Sequence, residues 1–369
     1  MTYFLAFAGF AILIILHEAG HFAAAKAVGM RVERFSLFFG KPLVSVRRGE
    51  TEYGIGPIPL GGYVKITGMN PREELAPEIA HRAYYRQPVW KRIVVISAGP
   101  AVNVAIAFLL LWGLLLVNGQ GISTTRVDAE GLLQPAARYL QPGDRIVSVD
   151  GVSNGLEAIT SQVRSHRCAG TLVDGCVATT PAHVVVVRGG RRLAFDIRPR
   201  YVAKPTPEQR KNHIKITPAM RLGIQFAPGT RDLGPAPAAS LSVTTMWDVT
   251  TATVTRIAKL FHAKDRKQLS GTVGAYEVTR ESFAFSLSYA LGVLALISLS
   301  LAIINLFPFL PLDGGHIFWA LAEKVRGRAI PFSVMEGASV VGFALVILLF
   351  VVGLSNDIDR LQHGGFNVR

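Results

Sequence analysis

Four stretches of the chain are almost wholly apolar, and each is long enough to cross a membrane. They cover residues 2–25, 93–118, 285–307 and 333–354. A helix needs roughly 20 apolar residues to span the hydrocarbon core of a bilayer. The hydrophobic pattern therefore predicts a polytopic α-helical membrane protein with about four transmembrane helices.

Between the first two spans, apolar residues alternate with polar ones over residues 43–67. The alternation runs on both sides of a turn signal at Arg48-Gly49-Glu50, which predicts β-structure. Pro57 and Pro59 disfavour a central strand, so we expect an edge strand or a ribbon that enters the membrane. Such an edge could pair with an extended peptide, and an ordinary hairpin that covers the membrane domain is the alternative.

Residues 122–200 lack an apolar run of span length and alternate between strand and helix patterns. Alternation at 145–149 predicts a strand, and the segment from Asn154 to His166 predicts a capped helix. The turn signal Gly189-Gly190 joins two further strand patterns in a hairpin. This region is predicted to be a small, soluble, β-rich binding module with one helix.

Two different patterns follow this module. Residues 204–237 are rich in proline and polar residues and predict a connector with some extended structure. Residues 243–261 then place apolar side chains at helical spacing along one face, which predicts an amphipathic helix. This helix could lie on the outer membrane surface or pack against the soluble module.

Charge places these elements relative to the membrane. The formal net charge is +14, and residues 26–92 carry twelve Lys and Arg against six Glu. The connection between the last two spans contains Lys324, Arg326 and Arg328. Because positive residues concentrate in cytoplasmic loops, both connections are predicted to be cytoplasmic, with the termini and the middle region outside. No basic patch is interleaved with aromatic residues, which argues against a nucleic-acid partner.

Cys168 and Cys176 are the only two cysteines, and both lie in the soluble module. Their spacing matches no C-x-x-C metal or redox motif. An extracytoplasmic location permits a disulfide that closes a short loop, and two free thiols are the alternative.

The first span contains one cluster of titratable residues, His17-Glu18-Ala19-Gly20-His21. Positions i and i+4 of a helix share a face, so His17 and His21 can present both imidazoles to one Zn²⁺, with Glu18 beside them to activate water. Ionisable groups are costly in a span, and this uncharged run ends without a signal-peptide cleavage site. We therefore predict a metal site in an uncleaved span. Histidines satisfied by backbone or lipid headgroups are the alternative.

Two histidines leave a catalytic zinc one protein ligand short. The best candidate is Asp313 after the third span, because neighbouring prolines and glycines break the helix and let the carboxylate reach inward. His316 is a competing ligand, although hydrogen bonding is its favoured role. Asn103, at matching depth in the second span, predicts either a hydrogen bond between helices or a contribution to the wall of an active site.

Several of these segments together resemble the site-2 protease family of intramembrane zinc metalloproteases, in particular its bacterial RseP-type group. The resemblance covers nearly the whole chain. Its most specific part is the pairing of HEAGH with a later aspartate motif. The matching segments are HEAGH (17–21), YGIGPIPLGGYVKITGM (53–69), AGPAVN (98–103), PAARYLQPGDRIVSVDG (135–151), LSGTVGA (269–275) and NLFPFLPLDGG (305–315).

The resemblance implies a zinc metalloendopeptidase in which His17, His21 and Asp313 bind Zn²⁺ and Glu18 is the general base. Its substrates would be single-pass proteins of the bacterial inner membrane, such as an anti-sigma factor or a signal-peptide remnant, cut in or near the membrane span. The lipid bilayer is the other expected partner.

By the same resemblance, Asn305 and Asn103 contact the substrate, and the cytoplasmic-side ribbon at 53–67 pairs with it. The soluble module becomes a single extracytoplasmic PDZ-like α+β domain, whereas some relatives carry two, and it could exclude substrates whose ectodomain is untrimmed. The expected divisions are 1–118 with two spans and the ribbon, 119–203 with the PDZ-like domain, 204–284 with the connector and amphipathic helix, and 285–369 with two further spans and the tail.

Two other functions fit parts of the pattern. Intramembrane His and Asp residues also line ion pathways, so a membrane metal-ion transporter is one alternative. It predicts ligands dispersed along a polar route, whereas the polar groups here cluster at one depth. A catalytically silent PDZ scaffold is the other alternative, and the intact set of ligands with Glu18 argues against it.

Overall fold

The computed structural model describes residues 1–70, 72–204, 217–258 and 271–363. The chain divides into two compact units. One comprises residues 1–117 and the chain from Gly234 onward, and the other is Asn118–Leu233. We call them the membrane unit and the inserted unit.

The described residues form nine α-helices, of which four are long and apolar enough to cross a membrane. Each of the four apolar stretches predicted from the sequence corresponds to one of them, although the third of these helices is two residues shorter at each end than the predicted 285–307. The helices are α1 Thr2–Ala27, α2 Pro77–Ala80, α3 Val89–Asn118, α4 Gly155–Ser165, α5 Pro235–Ala258, α6 Thr272–Phe285, α7 Leu287–Asn305, α8 Asp313–Arg326 and α9 Phe332–His363, with candidate spans in α1, α3, α7 and residues Ser333–Gln362 of α9.

The predicted ribbon between the first two spans belongs to a four-stranded sheet. Its strands run in the order β2-β3-β1-β4, with β1 parallel to β3 and the other pairs antiparallel. Pro59 therefore lies in an edge strand, as expected from its missing N–H donor. The strands are β1 Val32–Phe39, β2 Val44–Arg48, β3 Thr51–Ile55 and β4 Ile58–Ile66.

Strand β1 was not predicted, although it lies inside the sheet. Its two fully buried residues are the apolar Val32 and the polar Ser36. Arg34 sits between them and pairs with Glu52 of β3, at 2.6 Å between Nη2 and Oε2. Arg34 is satisfied across strands, and the Ser36 hydroxyl donates to the Phe38 carbonyl of its own strand at 3.1 Å. Because both polar side chains have partners, the strand does not need the apolar–polar alternation that predicts strands from sequence.

Aromatic side chains hold this sheet against α1. The rings of Phe22 on α1, Phe35 on β1 and Tyr53 on β3 lie 5.6 to 6.1 Å apart, centroid to centroid. A buried cluster around Met30 and Val95 continues the contact to α3. Ring pairs at these distances add to the area that they bury, so the sheet is fixed to the helix that carries the HEAGH motif.

The inserted unit is a five-stranded sheet with one helix, in the order β11-β5-β6-β7-β8. The predicted strand, helix and hairpin are confirmed as β6, α4 and β7–β8. Cys168 and Cys176 form the disulfide that the sequence permitted. The strands are β5 Gln120–Leu132, β6 Arg145–Val149, β7 Ala182–Arg188, β8 Arg191–Ile197, β9 Arg200–Val202, β10 Ala219–Arg221 and β11 Ile224–Arg231.

The predicted end of this unit at residue 203 is too early. Strand β11 pairs antiparallel with β5 from Ile224↔Leu132 to Arg231↔Gln120, so the sheet is complete only with residues assigned to a connector. The extended structure predicted within 204–237 is present as β10 and β11. These strands belong to the inserted unit and not to a connector, and residues 205–216 lie outside the described residues. Proline within an edge strand such as β11 hides the strand signal.

The predicted amphipathic helix corresponds to α5, and its last three predicted positions lie outside the described residues. Helix α5 packs along the span α7. At its start, Trp112 Nε1 of α3 donates to the Pro235 carbonyl at 3.0 Å. Val243 and Trp247 are exposed. The helix is therefore part of the membrane unit.

One buried ion pair in the inserted unit generates a stability prediction. Asp144 is 1 % exposed and accepts hydrogen bonds from Arg188 Nε at 2.8 Å, Arg188 Nη2 at 2.7 Å and the Gln141 N–H at 2.8 Å. Burial raises the pKa of Asp144, but these three donors outweigh it and hold the pKa below its ordinary value. The stabilisation is present above about pH 4 and is lost as the pH falls further.

We expect Asp144→Asn to destabilise the inserted unit by about 2 kcal/mol, because Arg188 loses its charged partner. Amide hydrogen exchange of β6 and β7 in the full-length protein in detergent measures the change. The matched control is Asp196→Asn, which removes an ion pair to His183 whose side chains are 54 % and 66 % exposed. The control should change stability by less than about 0.5 kcal/mol, and equal effects of the two substitutions would contradict the argument.

Candidate metal centre

Three ligand atoms from distant parts of the chain converge in the membrane unit. His17 Nε2 lies 3.3 Å from His21 Nε2, and Asp313 Oδ2 lies 3.4 Å from the first and 3.3 Å from the second. A tetrahedral zinc with ligands at about 2.0–2.1 Å holds neighbouring ligand atoms about 3.3–3.4 Å apart. The three sides of this triangle match that spacing, and in the described residues these three form the one group with metal-ligand geometry.

Helix α1 supplies the histidine pair. His17 and His21 are 6 % and 7 % exposed, and their spacing of four residues puts both rings on one helix face. His21 Nδ1 lies 2.9 Å from the Val95 carbonyl oxygen of α3. A carbonyl can only accept, so the proton of the neutral ring lies on Nδ1 and the Nε2 lone pair is free for a metal.

Helix α3 approaches the histidines closely because glycines face the contact. A Cβ atom on Gly99 would lie 2.3 Å from His21 Nε2. A Cβ atom on Gly20 would lie 2.6 Å from the Ala98 carbonyl oxygen. No side chain fits at either place, which explains the close packing predicted for the Gly-Pro segment of the second span.

Asp313 reaches the centre from a turn between two helices. Helix α7 ends at Asn305, and Asp313 is the first residue of α8. Cβ atoms on Gly314 and Gly315 would lie 2.1 Å from the Leu306 carbonyl oxygen and 2.5 Å from the Leu310 amide nitrogen. The turn can therefore fold back against the start of α8 only with glycine at both positions, and this brings the carboxylate to the histidines.

Glu18 lies beside the ligands and against the edge strand β4. A Cβ atom on Gly62 would lie 2.9 Å from Glu18 Cγ, so the backbone of this strand contacts the stem of the side chain. The general-base candidate thus lies against the backbone of a strand whose outer edge has no partner strand among the described residues.

Two asparagines contact the same histidine. Asn305 Nδ2 lies 3.4 Å from His17 Nε2, on the side where the three ligand atoms converge. Asn103 Nδ2 lies 3.1 Å from His17 Nδ1, and Asn103 has no exposed surface. Of the two residues predicted to contact substrate, Asn305 lies at the centre and Asn103 lies behind a ligand.

His316 is not among the converging ligand atoms. It lines a small cavity with Tyr84, Arg92 and Glu323, and the rest of the cavity lining is apolar. Arg92 is 9 % exposed and forms two hydrogen bonds to Glu323, at 2.8 and 2.7 Å. This ion pair joins the start of α3 to α8. Arg92 and Glu323 each look like a charge at the boundary of an apolar segment, so the sequence gives no signal that the two residues meet.

Comparison with known proteins agrees with this geometry. The model for peptidase family M50 matches residues 5–349. A putative zinc metalloprotease of Xylella fastidiosa is 28 % identical, over 95 % of this chain and 96 % of its own length. Zinc metalloprotease Rip1 of Mycobacterium tuberculosis is 30 % identical over 93 % of this chain and 92 % of its own length. The regulator of sigma-E protease RseP of Salmonella typhimurium is 27 % identical over 95 % of this chain and 96 % of its own length.

The close approach of α3 generates a prediction for metal binding. Gly99→Ala places a methyl group where His21 Nε2 now lies, so we expect zinc affinity to fall by at least about 10-fold. Zinc affinity is measured by the zinc that the purified protein retains during titration with a chelator. Gly113→Ala on the same helix is the control, because its Cβ would have no atom within 4 Å. Equal zinc retention by both variants would show that the contact does not position His21.

Proposed function

The chain belongs to peptidase family M50 and is a zinc metalloprotease, and we propose that it hydrolyses peptide bonds in or near the membrane span of single-pass membrane proteins. The observation that carries this proposal is the triangle of His17, His21 and Asp313. Two of its corners lie in a helix long and apolar enough to cross a membrane. A peptide bond that reaches these residues must therefore come from a membrane-embedded or membrane-adjacent segment.

The proposed location is the bacterial inner membrane, with both termini and the inserted unit outside the cytoplasm. The excess of Lys and Arg in residues 26–92 supports this orientation. The Cys168–Cys176 disulfide supports it independently, since structural disulfides persist in oxidising compartments. With α1 running inward, its histidines lie toward the cytoplasmic leaflet.

Zinc held by His17, His21 and Asp313 would polarise the scissile carbonyl and make a water molecule more acidic. Glu18 is placed to take the proton from that water and to deliver it to the leaving amide nitrogen. The backbone of β4 at Gly62 packs against the Glu18 side-chain stem and restricts its movement during both transfers. Burial of both histidines limits competing water around the reacting groups.

The substrate must lose its helical structure before it can be cut, because a helix holds each carbonyl in a hydrogen bond to the amide four residues on. We propose that the unpaired edge of β4 binds the unwound segment as an added strand. Asn305, with its amide group 3.4 Å from His17 Nε2, would donate to the substrate backbone near the scissile bond. Anti-sigma factors and signal-peptide remnants are the proposed substrate classes.

The inserted unit is proposed to be a single PDZ-like domain that restricts access of substrates with large ectodomains. Five strands with one helix support the PDZ-like assignment. Its location between the second and third spans, on the outer side in the proposed orientation, supports the role in access.

Convergence of the ligands at one point favours hydrolysis over transport. An ion pathway needs polar groups at successive depths, whereas these three ligand atoms lie within 4.8 Å of one another. A silent scaffold would need neither the ligand triangle nor a carboxylate held beside it.

Substitution of the base and of a ligand separates the three functions. We expect Glu18→Gln to reduce cleavage of a single-span reporter in cells by at least about 100-fold while zinc is retained, because it removes a proton acceptor and no ligand. Asp313→Asn should abolish cleavage and release zinc. Cleavage and zinc content of the purified variants measure both effects.

The matched control is Glu78→Gln, an exposed carboxylate outside the centre, which should cleave like the unaltered protein. Metal transport that survives Glu18→Gln would support a transporter. Cleavage that survives both substitutions would rule out the proposed chemistry.

Removal of the inserted unit tests its proposed role in access. The deletion must cover 119–233, joined by a flexible linker, because a shorter deletion would leave β11 without its partner strand. We expect several-fold more cleavage of a reporter with an intact ectodomain and unchanged cleavage of a trimmed one. Cleavage of both reporters in cells measures it, with the same deletion carrying Glu18→Gln as the control. No increase for the intact reporter, with the trimmed reporter still cut, would contradict the role.

A further inference from the structure

A buried contact behind the metal centre assigns a role to Asn103 that differs from the substrate contact expected from the sequence. Asn103 has no exposed surface, and its side chain lies 3.1 Å from Nδ1 of His17, the ring nitrogen that faces away from the other ligands. Its own backbone carbonyl accepts a hydrogen bond from Ser298 Oγ of α7 at 2.9 Å. Asn103 is thus held between the first and third spans, where no substrate atom can reach it.

The role of His17 decides which atom of the Asn103 amide must face it. His17 Nε2 points at His21 and Asp313, and a metal ligand needs a free lone pair there. A neutral imidazole carries one proton, so that proton must lie on Nδ1, which becomes a donor. The partner of Nδ1 must then be an acceptor, and in an asparagine the only side-chain acceptor is Oδ1.

Rotation of the amide by 180° exchanges Oδ1 and Nδ2 without moving the rest of the residue. In the orientation with Nδ2 toward His17, the buried Oδ1 has no hydrogen-bond partner. The rotated orientation supplies that oxygen with the Nδ1–H donor. If the amide donated to Nδ1, the single ring proton of neutral His17 would lie on Nε2. Nε2 would then have no lone pair to offer to zinc.

We propose that Asn103 is a positioning residue that accepts the Nδ1–H of His17 and so fixes Nε2 as the nitrogen that binds zinc. His21 has an equivalent partner in the Val95 carbonyl, 2.9 Å from its Nδ1. Both acceptors lie on α3, so the second span sets the tautomer of both histidines of the first. Partners of this kind orient the ring and increase the basicity of the ligand nitrogen. The inference rests on the proposed zinc chemistry but not on any particular substrate.

The test compares an acceptor with a side chain that cannot hydrogen-bond at the same position. Asn103→Asp keeps an oxygen beside Nδ1 and has no donor, whereas Asn103→Leu has neither. We expect Asn103→Leu to lower zinc affinity by about 10- to 100-fold and Asn103→Asp to stay within about 3-fold of the unaltered protein. Chelator competition on the purified full-length protein measures the affinity, and substitution with Co²⁺ reports the ligand geometry through its absorption spectrum.

Ser298→Ala is the matched control, because it removes the hydrogen bond to the Asn103 backbone and leaves the side chain in place. Its zinc affinity should be unchanged. Zinc affinity of Asn103→Leu equal to that of the unaltered protein would reduce the contact to helix packing. Loss of zinc in Asn103→Asp as large as in Asn103→Leu, with both proteins folded, would mean that Asn103 acts as a donor.

A measurement without substitution of Asn103 decides the case if Asn103→Leu does not fold. ¹⁵N NMR of histidine-labelled, zinc-loaded protein, assigned with a His17→Gln variant, should show the His17 proton on Nδ1. A proton on Nε2 would overturn the proposal. These readouts need no proteolysis, so a protein that binds zinc as described and cleaves nothing would refute the proposed function alone.

Discussion

The metal centre depends on three ligand atoms, each with a free lone pair, that lie close together in an apolar environment. The Nε2 atoms of two imidazoles and Oδ2 of Asp313 lie 3.3 to 3.4 Å apart, and that carboxylate oxygen is buried without a hydrogen bond. Such a cluster is unfavourable by itself, because desolvated lone pairs face one another at close range. A divalent cation turns the same arrangement into three favourable bonds, so metal binding and the packing of this region stabilise each other.

Glycine makes that arrangement possible at each helix contact. Gly99 leaves room for the His21 ring, and Gly314 lets the turn before α8 fold back. In the last span, a Cβ atom on Gly342 would lie 1.8 Å from the Leu310 carbonyl oxygen, so α9 also approaches that turn. Helices in a bilayer gain little from apolar burial against one another, and small residues that allow close contact are the usual solution.

The sequence predicts the parts of this centre that depend on local spacing. His17 and His21 follow from the helix period, and the break before Asp313 follows from proline and glycine. Beyond the ligand set, the local sequence does not predict which distant segments pair. The Arg92–Glu323 ion pair, strand β1 and strand β11 all depend on partners far along the chain. In the local sequence, Arg92 and Glu323 look like charges at a membrane boundary, β1 looks like an irregular loop, and β11 looks like part of a proline-containing connector.

The four-stranded sheet contributes to the metal centre as well as to the proposed binding of substrate. Gly62 of β4 packs against the side-chain stem of Glu18, the residue next to the ligand His17. The strand proposed to receive the peptide therefore also lies against the side chain proposed as general base. A substrate segment added at this edge would lie beside both the base and the ligands of α1, so a single binding geometry would supply the orientation that the proposed reaction needs.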